Sequence, residues 1–339
     1  MITILDTAVA SENLGDQVIM DGVWGHMESM FQNEYFVNVP THDYLGPESK
    51  RLLKKSSFGV VGGTNLLSSN MQMPLTWQKK VPLWSKIFKE KERRVNQWKI
   101  TPQDIPDVCN TVLMAVGWWQ YQSAPNAYTR KLFNSVLHKQ ALHSVRDGYS
   151  EQNLRKAGIE NVINTGCVTM WNLDEEHMVD VPSERKDEVV TTITFYKPHK
   201  KADERMLRML KQRYKKIYLW VQGGGDLAYV NSLDVEGFEL LAPSLKALDA
   251  KLSSGTVDYV GTRLHAGVRA LQYKCLSAIV SVDNRATEIS KETGLPVVER
   301  SRLDDLKQLL DSPYRPKITM PWANIDKFKQ RLIEVHQKG

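Results

Sequence analysis

The sequence predicts an α/β protein made of two doubly wound units with a cleft between them. Strand-like and helix-like segments alternate, stop in a charged stretch at residues 174–188, and then begin again. The strands are continuous apolar runs such as 217–221, the pattern of parallel strands covered on both faces. The chain has 339 residues, which suits two domains at about 150 residues each. The expected boundaries are 1–180 and 181–318, with 319–339 forming a helix that packs back across both.

In the first half, 2–5 reads as a strand. Asp16 stands where an N-cap would, followed by Ile19, Val23, Met27 and Met30/Phe31 at helical spacing. Strands are expected at 36–39, 58–61, 112–116, 143–145 and 161–163, with helices at 48–55, 128–142 and 149–157. Gly158 is placed to end the last of these helices. In the second half, strands are expected at 189–195, 217–221, 257–260, 277–282 and 297–298. Helices are expected at 203–214, 241–251, 265–273 and 287–293. Ile325, Phe328, Leu332 and Val335 give the terminal helix an apolar stripe, and Pro321 suits its first turn.

Composition narrows the function. A hydrophobic share of 42% with 25% charged residues is that of an ordinary globular chain. No apolar run reaches the length of a membrane span, and the first residues lack the basic and apolar regions of a secretory signal. Cys109, Cys167 and Cys275 form no C-x-x-C pair and read as small buried residues of a reducing compartment. A cytoplasmic location follows. The 45 Lys/Arg against 39 Asp/Glu leave a net charge of +6, and many of the cations lie between Lys79 and Lys99, interleaved with Trp77, Trp84, Phe88 and Trp98. Residues 77–99 fit either a solvated helical face or a peripheral contact with anionic membrane. No helix-turn-helix, RNP-like or zinc-finger spacing accompanies the charge, so nucleic acid is not expected as a partner. No H-E-x-x-H or comparable spacing suggests a metal.

Ligands of doubly wound sheets bind beyond the carboxyl ends of the strands, so the residues after each strand are read first. Asn13-Leu14-Gly15-Asp16 precedes the first helix, Gly62-Gly63-Thr64-Asn65 follows the strand 58–61, and Gly117-Trp118-Trp119 follows 112–116. Gly261-Thr262-Arg263-Leu264-His265 follows 257–260 and carries the strongest local signal. A glycine turns the chain, an arginine offers a two-pronged fork for phosphate or carboxylate, and a histidine opens a helix. A capped helix with an exposed arginine and a structural histidine is the alternative. Gly223-Gly224-Gly225-Asp226-Leu227-Ala228 satisfies G-x-G-x-x-A. Its helix is cut short by Asn231-Ser232 and no acidic residue ends a second strand, so it is set aside as a dinucleotide site.

At these residues the chain resembles the polysaccharide pyruvyl transferase family. The run 258–270 is similar to that family's C-terminal signature, and 13–16 to its N-x-G-D motif. The stretch 60–67 is similar to its Gly-Gly loop, and Arg146-Asp147-Gly148-Tyr149-Ser150 to its R-[DE]-x-x-S segment. Gly166-Cys167-Val168-Thr169 stands where many members carry an Asp-Pro pair.

The resemblance implies a GT-B-like fold of two facing Rossmann-like domains. It implies transfer of the three-carbon unit of phosphoenolpyruvate onto two hydroxyls of a sugar, in a cell-surface polysaccharide (an exopolysaccharide) or its lipid-linked precursor. Neither a metal nor a cofactor is implied; phosphoenolpyruvate is a co-substrate. The donor would be held by Arg263 and Arg146, with Gly261, Thr262, Leu264 and Arg285 beside them. His265 is the candidate acid, and Asp16 a candidate base. Asn13, Gly62, Gly63, Thr64, Asn65, Trp118 and Trp119 are acceptor-side candidates, the tryptophans and Tyr121 either stacking on sugar or packing in the core. Asp283 and Arg285 follow a strand and either face the ligand or hold their loop as an ion pair. Arg146 and Arg263 are expected to converge on the donor. Two alternatives remain: a nucleotide-sugar glycosyltransferase of the same fold, and a non-catalytic glycan-binding relative. Against the first, no E-x7-E pair follows the anion-binding strand, since Glu292 and Glu299 are one position too close.

Overall fold

The computed structural model describes residues 1–71, 98–101 and 103–338. Of the basic, aromatic stretch 77–99, residues 77–97 lie outside the described residues; Trp98 is buried, and the Lys99 ammonium lies 5.7 Å from the centre of the Tyr44 ring. The chain divides into two compact units, Met1–Ser11, Val23–Val168 and Trp322–Gly339 as unit 1, and Glu12–Gly22 with Thr169–Pro321 as unit 2.

Unit 1 is organised around a parallel sheet in the order β2-β1-β3-β4, from β1 (Ile2–Asp6), β2 (Phe36–Pro40), β3 (Gly59–Gly62) and β4 (Thr111–Met114). Every residue of β1, β3 and β4 is buried, as continuous apolar runs require. Two short parallel strands, β5 (His143–Val145) and β6 (Val162–Asn164), pair with each other, and a bridge from Val116 to Val145 joins them to the end of β4. Helix α1 (Leu14–Met30) begins in unit 2 and ends in unit 1. Gly62 lets it lie close, since a Cβ there would sit 2.2 Å from Val23 Cγ2.

Helices α2 (Pro47–Lys55), α3 (Ile105–Val108), α4 (Ala127–Val136) and α5 (Gly148–Lys156) flank the sheet. Gly158 follows α5 with φ +88°, the left-handed conformation expected of a terminating glycine. Helix α4 is shorter than its apolar spacing suggests. Leu137 turns extended and bridges to Thr111, and His138 N–H donates to the Thr111 carbonyl, so the backbone leaves the helix for the sheet.

Unit 2 is a six-stranded parallel sheet in the order β12-β11-β10-β7-β8-β9. Its strands are β7 (Glu188–Thr191), β8 (Lys216–Trp220), β9 (Glu239–Leu241), β10 (Val257–Gly261), β11 (Ser277–Ser281) and β12 (Val297–Glu299). Its helices are α6 (Glu175–Val179), α7 (Lys200–Arg213), α8 (Asp226–Asn231), α9 (Leu245–Leu252), α10 (Leu264–Gln272), α11 (Asn284–Thr293) and α12 (Leu303–Asp311). Strand β7 is shorter than the apolar run 189–195, because Thr192 and Thr194 turn to bond Tyr259 and Thr262. Helices α6 and α12 and strand β9 are additions to the expected pattern. Helix α13 (Trp322–Lys338) buries Ile325, Phe328 and Leu332 and belongs to unit 1. Cys167 and Cys275 are buried, but Cys109 is exposed, because it caps the short helix α3 at the surface.

Among the described residues, no helix is long and apolar enough to cross a membrane, and no group of three or more His, Cys, Asp or Glu could hold a metal ion.

Candidate functional site

In unit 2 the site is built at the carboxyl ends of β7, β8, β10 and β11. Strand β10 ends at Gly261, where a Cβ would stand 2.5 Å from Thr192 Oγ1 and 2.7 Å from Thr192 N. Only glycine lets the two strand ends approach this closely. The backbone of Arg263 is then fixed from both sides. Its N–H donates to Thr192 Oγ1 at 3.2 Å, and its carbonyl accepts from the Tyr259 hydroxyl at 2.8 Å. Full burial pushes the Tyr259 hydroxyl pKa upward, so this donor stays protonated. Thr262 shares a hydrogen bond with Thr194, Oγ1 to Oγ1 at 2.8 Å.

The Arg263 side chain is 4% exposed, and its Nη2 meets Asp226 Oδ1 at 2.5 Å. The Nε of Arg263 is buried and has no partner among the described residues. Asp226 is held by the backbone of two loops: Oδ2 accepts from Gly223 N of its own loop at 2.8 Å, and Oδ1 from Phe195 N of the loop after β7 at 3.1 Å. The glycine run set aside as a dinucleotide site therefore has another role. A Cβ on Gly223 would lie 2.5 Å from Arg263 Nη2, and one on Gly225 would lie 2.5 Å from the Phe195 ring. These glycines make room for the arginine and the aromatic ring that lie against them.

His265 is buried in the first turn of α10, two positions after Arg263, which takes the N-cap position without a side-chain cap. Asp283 caps α11 by accepting from Arg285 N, and its carboxylate also receives Arg285 Nε at 2.9 Å and Nη2 at 2.5 Å. Burial disfavours the charge of Arg285, but Tyr196 and Asp283 more than offset this and hold its pKa above the usual arginine value. Tyr196 lies beside both arginines, its ring centre 5.0 Å from Arg263 Cζ and 6.0 Å from Arg285 Cζ.

The Asn13–Asp16 motif also belongs to unit 2. Asn13 Oδ1 accepts from Gln222 Nε2 at 2.8 Å, Leu14 N donates to the Gln222 carbonyl at 2.9 Å, and Asn13 bridges Gly223. Gly15 has no room for a Cβ, which would stand 2.6 Å from Gln222 Nε2. The motif is thus stitched to the loop that carries Asp226. Asp16 is buried within the first turn of α1, two residues past the helix start, rather than at the N-cap.

Unit 1 holds the other candidates. Gly63 has φ +63° and donates to the Met114 carbonyl, and Thr64 accepts from Gly117 N at 2.8 Å. Arg146 is 1% exposed, with Nε on Asp147 Oδ2 at 3.1 Å and Nη1 without a partner among the described residues. It lies on Gly117, where a Cβ would be 2.2 Å from Arg146 Cζ. Trp118 is a core residue: it is buried, packs edge-on against Phe133, and its Nε1 donates to Ser69 and Gln122. Trp119 is half-buried and Tyr121 exposed. Thr7 Oγ1, Thr41 Oγ1, His42 Nε2 and Asn65 Oδ1 are buried polar atoms without a partner among the described residues. They follow β1, β2 and β3, whose register sets Asp6 opposite Pro40 and Leu5 opposite Val61. Native proteins rarely leave such atoms unsatisfied.

Fold and site together define an α/β protein of the GT-B type, with parallel sheets and an arginine–histidine loop at the carboxyl end of one of them. The chain belongs to the polysaccharide pyruvyl transferase family, whose model matches residues 13–284. No curated protein matches it significantly. Among solved structures, it is similar to the UDP-GlcNAc 2-epimerase of Methanocaldococcus jannaschii, in complex with UDP-GlcNAc and UDP. The identity is 12%, 100% of this chain and 99% of that one are covered, and the TM-score is 0.51. It also matches S. aureus MnaA bound to UDP, at 10% identity over 93% and 91% of the chains with a TM-score of 0.46. The wall teichoic acid polymerase TagF matches at 12% identity over 100% and 88%, with a TM-score of 0.41.

Asp226, Tyr196, Thr192 and Gln222 were not singled out as site residues from sequence. The G-x-G-x-x-A run was the one signal pointing at Asp226; Tyr196 and Thr192 offered none.

Proposed function

We propose that this protein transfers the pyruvyl unit of phosphoenolpyruvate onto two hydroxyls of a sugar, forming a ketal in a surface polysaccharide or its precursor. The observation that carries this reading is Arg263: a buried guanidinium with an unpartnered Nε, locked by Asp226, two positions before a histidine at a helix mouth. A phosphorylated carboxylate needs such a cation, and Arg285 supplies a second within unit 2.

The chemistry requires a proton on the methylene carbon of the donor. His265 is its source, giving an imidazole and a cationic C2. A sugar hydroxyl adds to C2 and surrenders its proton to a base, Asp16 being the candidate. The C2–O bond to phosphate breaks, the second hydroxyl adds with loss of its proton, and the products are the ketal and inorganic phosphate. Arg263 neutralises charge on the departing phosphate. Within unit 1, the atoms of Thr7, Thr41 and Asn65 that no described residue bonds suit a polyhydroxylated ligand. Neither a metal nor a further cofactor enters this scheme.

Incubating the protein with phosphoenolpyruvate and a panel of sugar acceptors tests it. Phosphate release coupled to a mass gain on the sugar is expected. Turnover of a nucleotide sugar, with none of phosphoenolpyruvate, would replace this reading with a glycosyltransferase.

A further inference from the structure

Tyr196 has no place in the scheme above, yet it touches both Arg263 and Arg285. It stands in the loop after β7, and its side chain is 41% exposed. Arg263 and Arg285 lie 5.0 and 6.0 Å from its ring centre, and Arg285 Nη2 donates to its hydroxyl. Each guanidinium has a carboxylate at its back, Asp226 for Arg263 and Asp283 for Arg285. The ring is itself held: Phe195 packs edge-on against it at 5.8 Å and rests on Gly225 and Gly223, which have no side chains to displace it.

Two guanidinium groups repel each other, and two free side chains of this length would spread apart. A shared aromatic ring opposes that, because each cation is drawn to the same π-system. The counter-ions behind Arg263 and Arg285 leave hydrogens of both forks directed elsewhere, and the one on Arg263 Nε is taken by no described residue. A ligand with one anionic group gains from one fork. A ligand with two separated anionic groups gains from both, provided the forks keep a fixed spacing.

We propose that Tyr196 is a positioning residue that sets the spacing of Arg263 and Arg285, making unit 2 a site for anions with two charged ends. It acts through the arginines rather than on the reacting atoms. The inference rests on the reading of Arg263 as the donor anchor and adds to it that phosphate and carboxylate are taken by two arginines of the same unit.

Calorimetric titration of the full chain with phosphoenolpyruvate, pyrophosphate and inorganic phosphate tests this, with Tyr196→Leu and Tyr196→Phe beside the unchanged protein. Loss of the ring is expected to weaken both two-ended anions by about tenfold or more, and inorganic phosphate by less than about threefold. Tyr196→Phe keeps the ring and should restore two-ended binding to within about threefold. In turnover assays the Leu variant should raise KM for the donor with kcat little changed. A thermal melt checks folding, and Tyr196→Met replaces the Leu variant should that one misfold. Equal loss of all three anions, no loss of any, or an unchanged protein that prefers inorganic phosphate to both two-ended anions would overturn the inference. If the unchanged protein takes pyrophosphate but not phosphoenolpyruvate, the donor reading fails while the role of Tyr196 is still decided on pyrophosphate.

Discussion

Arg146 in unit 1 and Arg263 in unit 2 are built alike. Each is almost fully buried just beyond a parallel strand, each pairs with one aspartate, and each retains one buried nitrogen without a partner among the described residues. Each also depends on a glycine whose missing Cβ makes room for the guanidinium, Gly117 for one and Gly223 for the other. They differ in how the aspartate is held. Asp147 is the next residue in the chain, and its second oxygen caps α5 by accepting from Ser150 N. Asp226 lies on another strand's loop and receives two backbone N–H groups besides the arginine. Arg263 also has an exposed aromatic ring against it, whereas the second contact of Arg146 is the Trp118 carbonyl. One arginine is bound into its own helix cap; the other is fastened across the sheet with a ring beside it.

Removing each arginine tests that contrast most strongly. Breaking a buried ion pair from one side costs about 3–5 kcal/mol when the other charge is stranded. Asp226 keeps two backbone donors and Asp147 only one, so Arg146→Ala should lower the denaturation midpoint more than Arg263→Ala does. Arg263→Ala and His265→Ala should instead lower the proposed pyruvyl transfer by about 10²–10³, with binding of the proposed donor weakened only in the arginine variant. Near-native turnover in a folded His265→Ala protein would remove His265 as the acid.

Acid should affect unit 1 through its histidines. Burial above all, helped by Lys329, lowers the pKa of His26 from 6.5 to about 4. Burial does the same to His143, also to about 4, and its Nδ1 accepts from Leu113 N, which a protonated ring could not do. The native rings thus resist a proton that the unfolded chain accepts at its ordinary pKa. Stability is therefore full above pH 6.5 and falls as pH drops from 6.5 towards 4, by up to about 3 kcal/mol for each histidine. Urea midpoints across that range should follow the slope, and His143→Gln should flatten part of it. A midpoint independent of pH between 6.5 and 4 would contradict both burial assignments.

The glycine supports come last in size. Gly117→Ala and Gly223→Ala each push a methyl into a guanidinium, an overpacking worth about 1–3 kcal/mol. The cost should be larger for Gly117, whose Cβ would meet Arg146 Cζ rather than the end of a fork. Chemical denaturation ranks the pair, and the reverse order would mean that Arg146 has room to shift.

Much of this was legible because it is local. Continuous apolar runs gave the strands, and Gly261-Thr262-Arg263-Leu264-His265 marked the turn after β10 as a candidate site from its order alone. Strand β9 escaped because Glu239-Leu240-Leu241 is a short edge strand with mostly exposed residues, so burial leaves no pattern on it. Helix α12 is legible in Leu303, Leu306 and Leu310 at helical spacing. Helix α4 was drawn too long because apolar spacing continues past Leu137, and the hydrogen bond from His138 to Thr111 that ends it joins distant parts of the chain.

The sequence by itself determined the α/β class, the parallel strands and the family motifs, because each is written in the spacing of neighbouring residues. Only the tertiary structure decided what each motif does. It made Gly223-Gly224-Gly225-Asp226 the cradle of an arginine 37 positions away rather than a phosphate loop, and tied Asn13 to Gln222 across 209 positions. It also brought Tyr196 against two cations from separate strands. Such pairings depend on which strand ends become neighbours, and strand order is a property of the folded sheet that no local stretch of sequence carries.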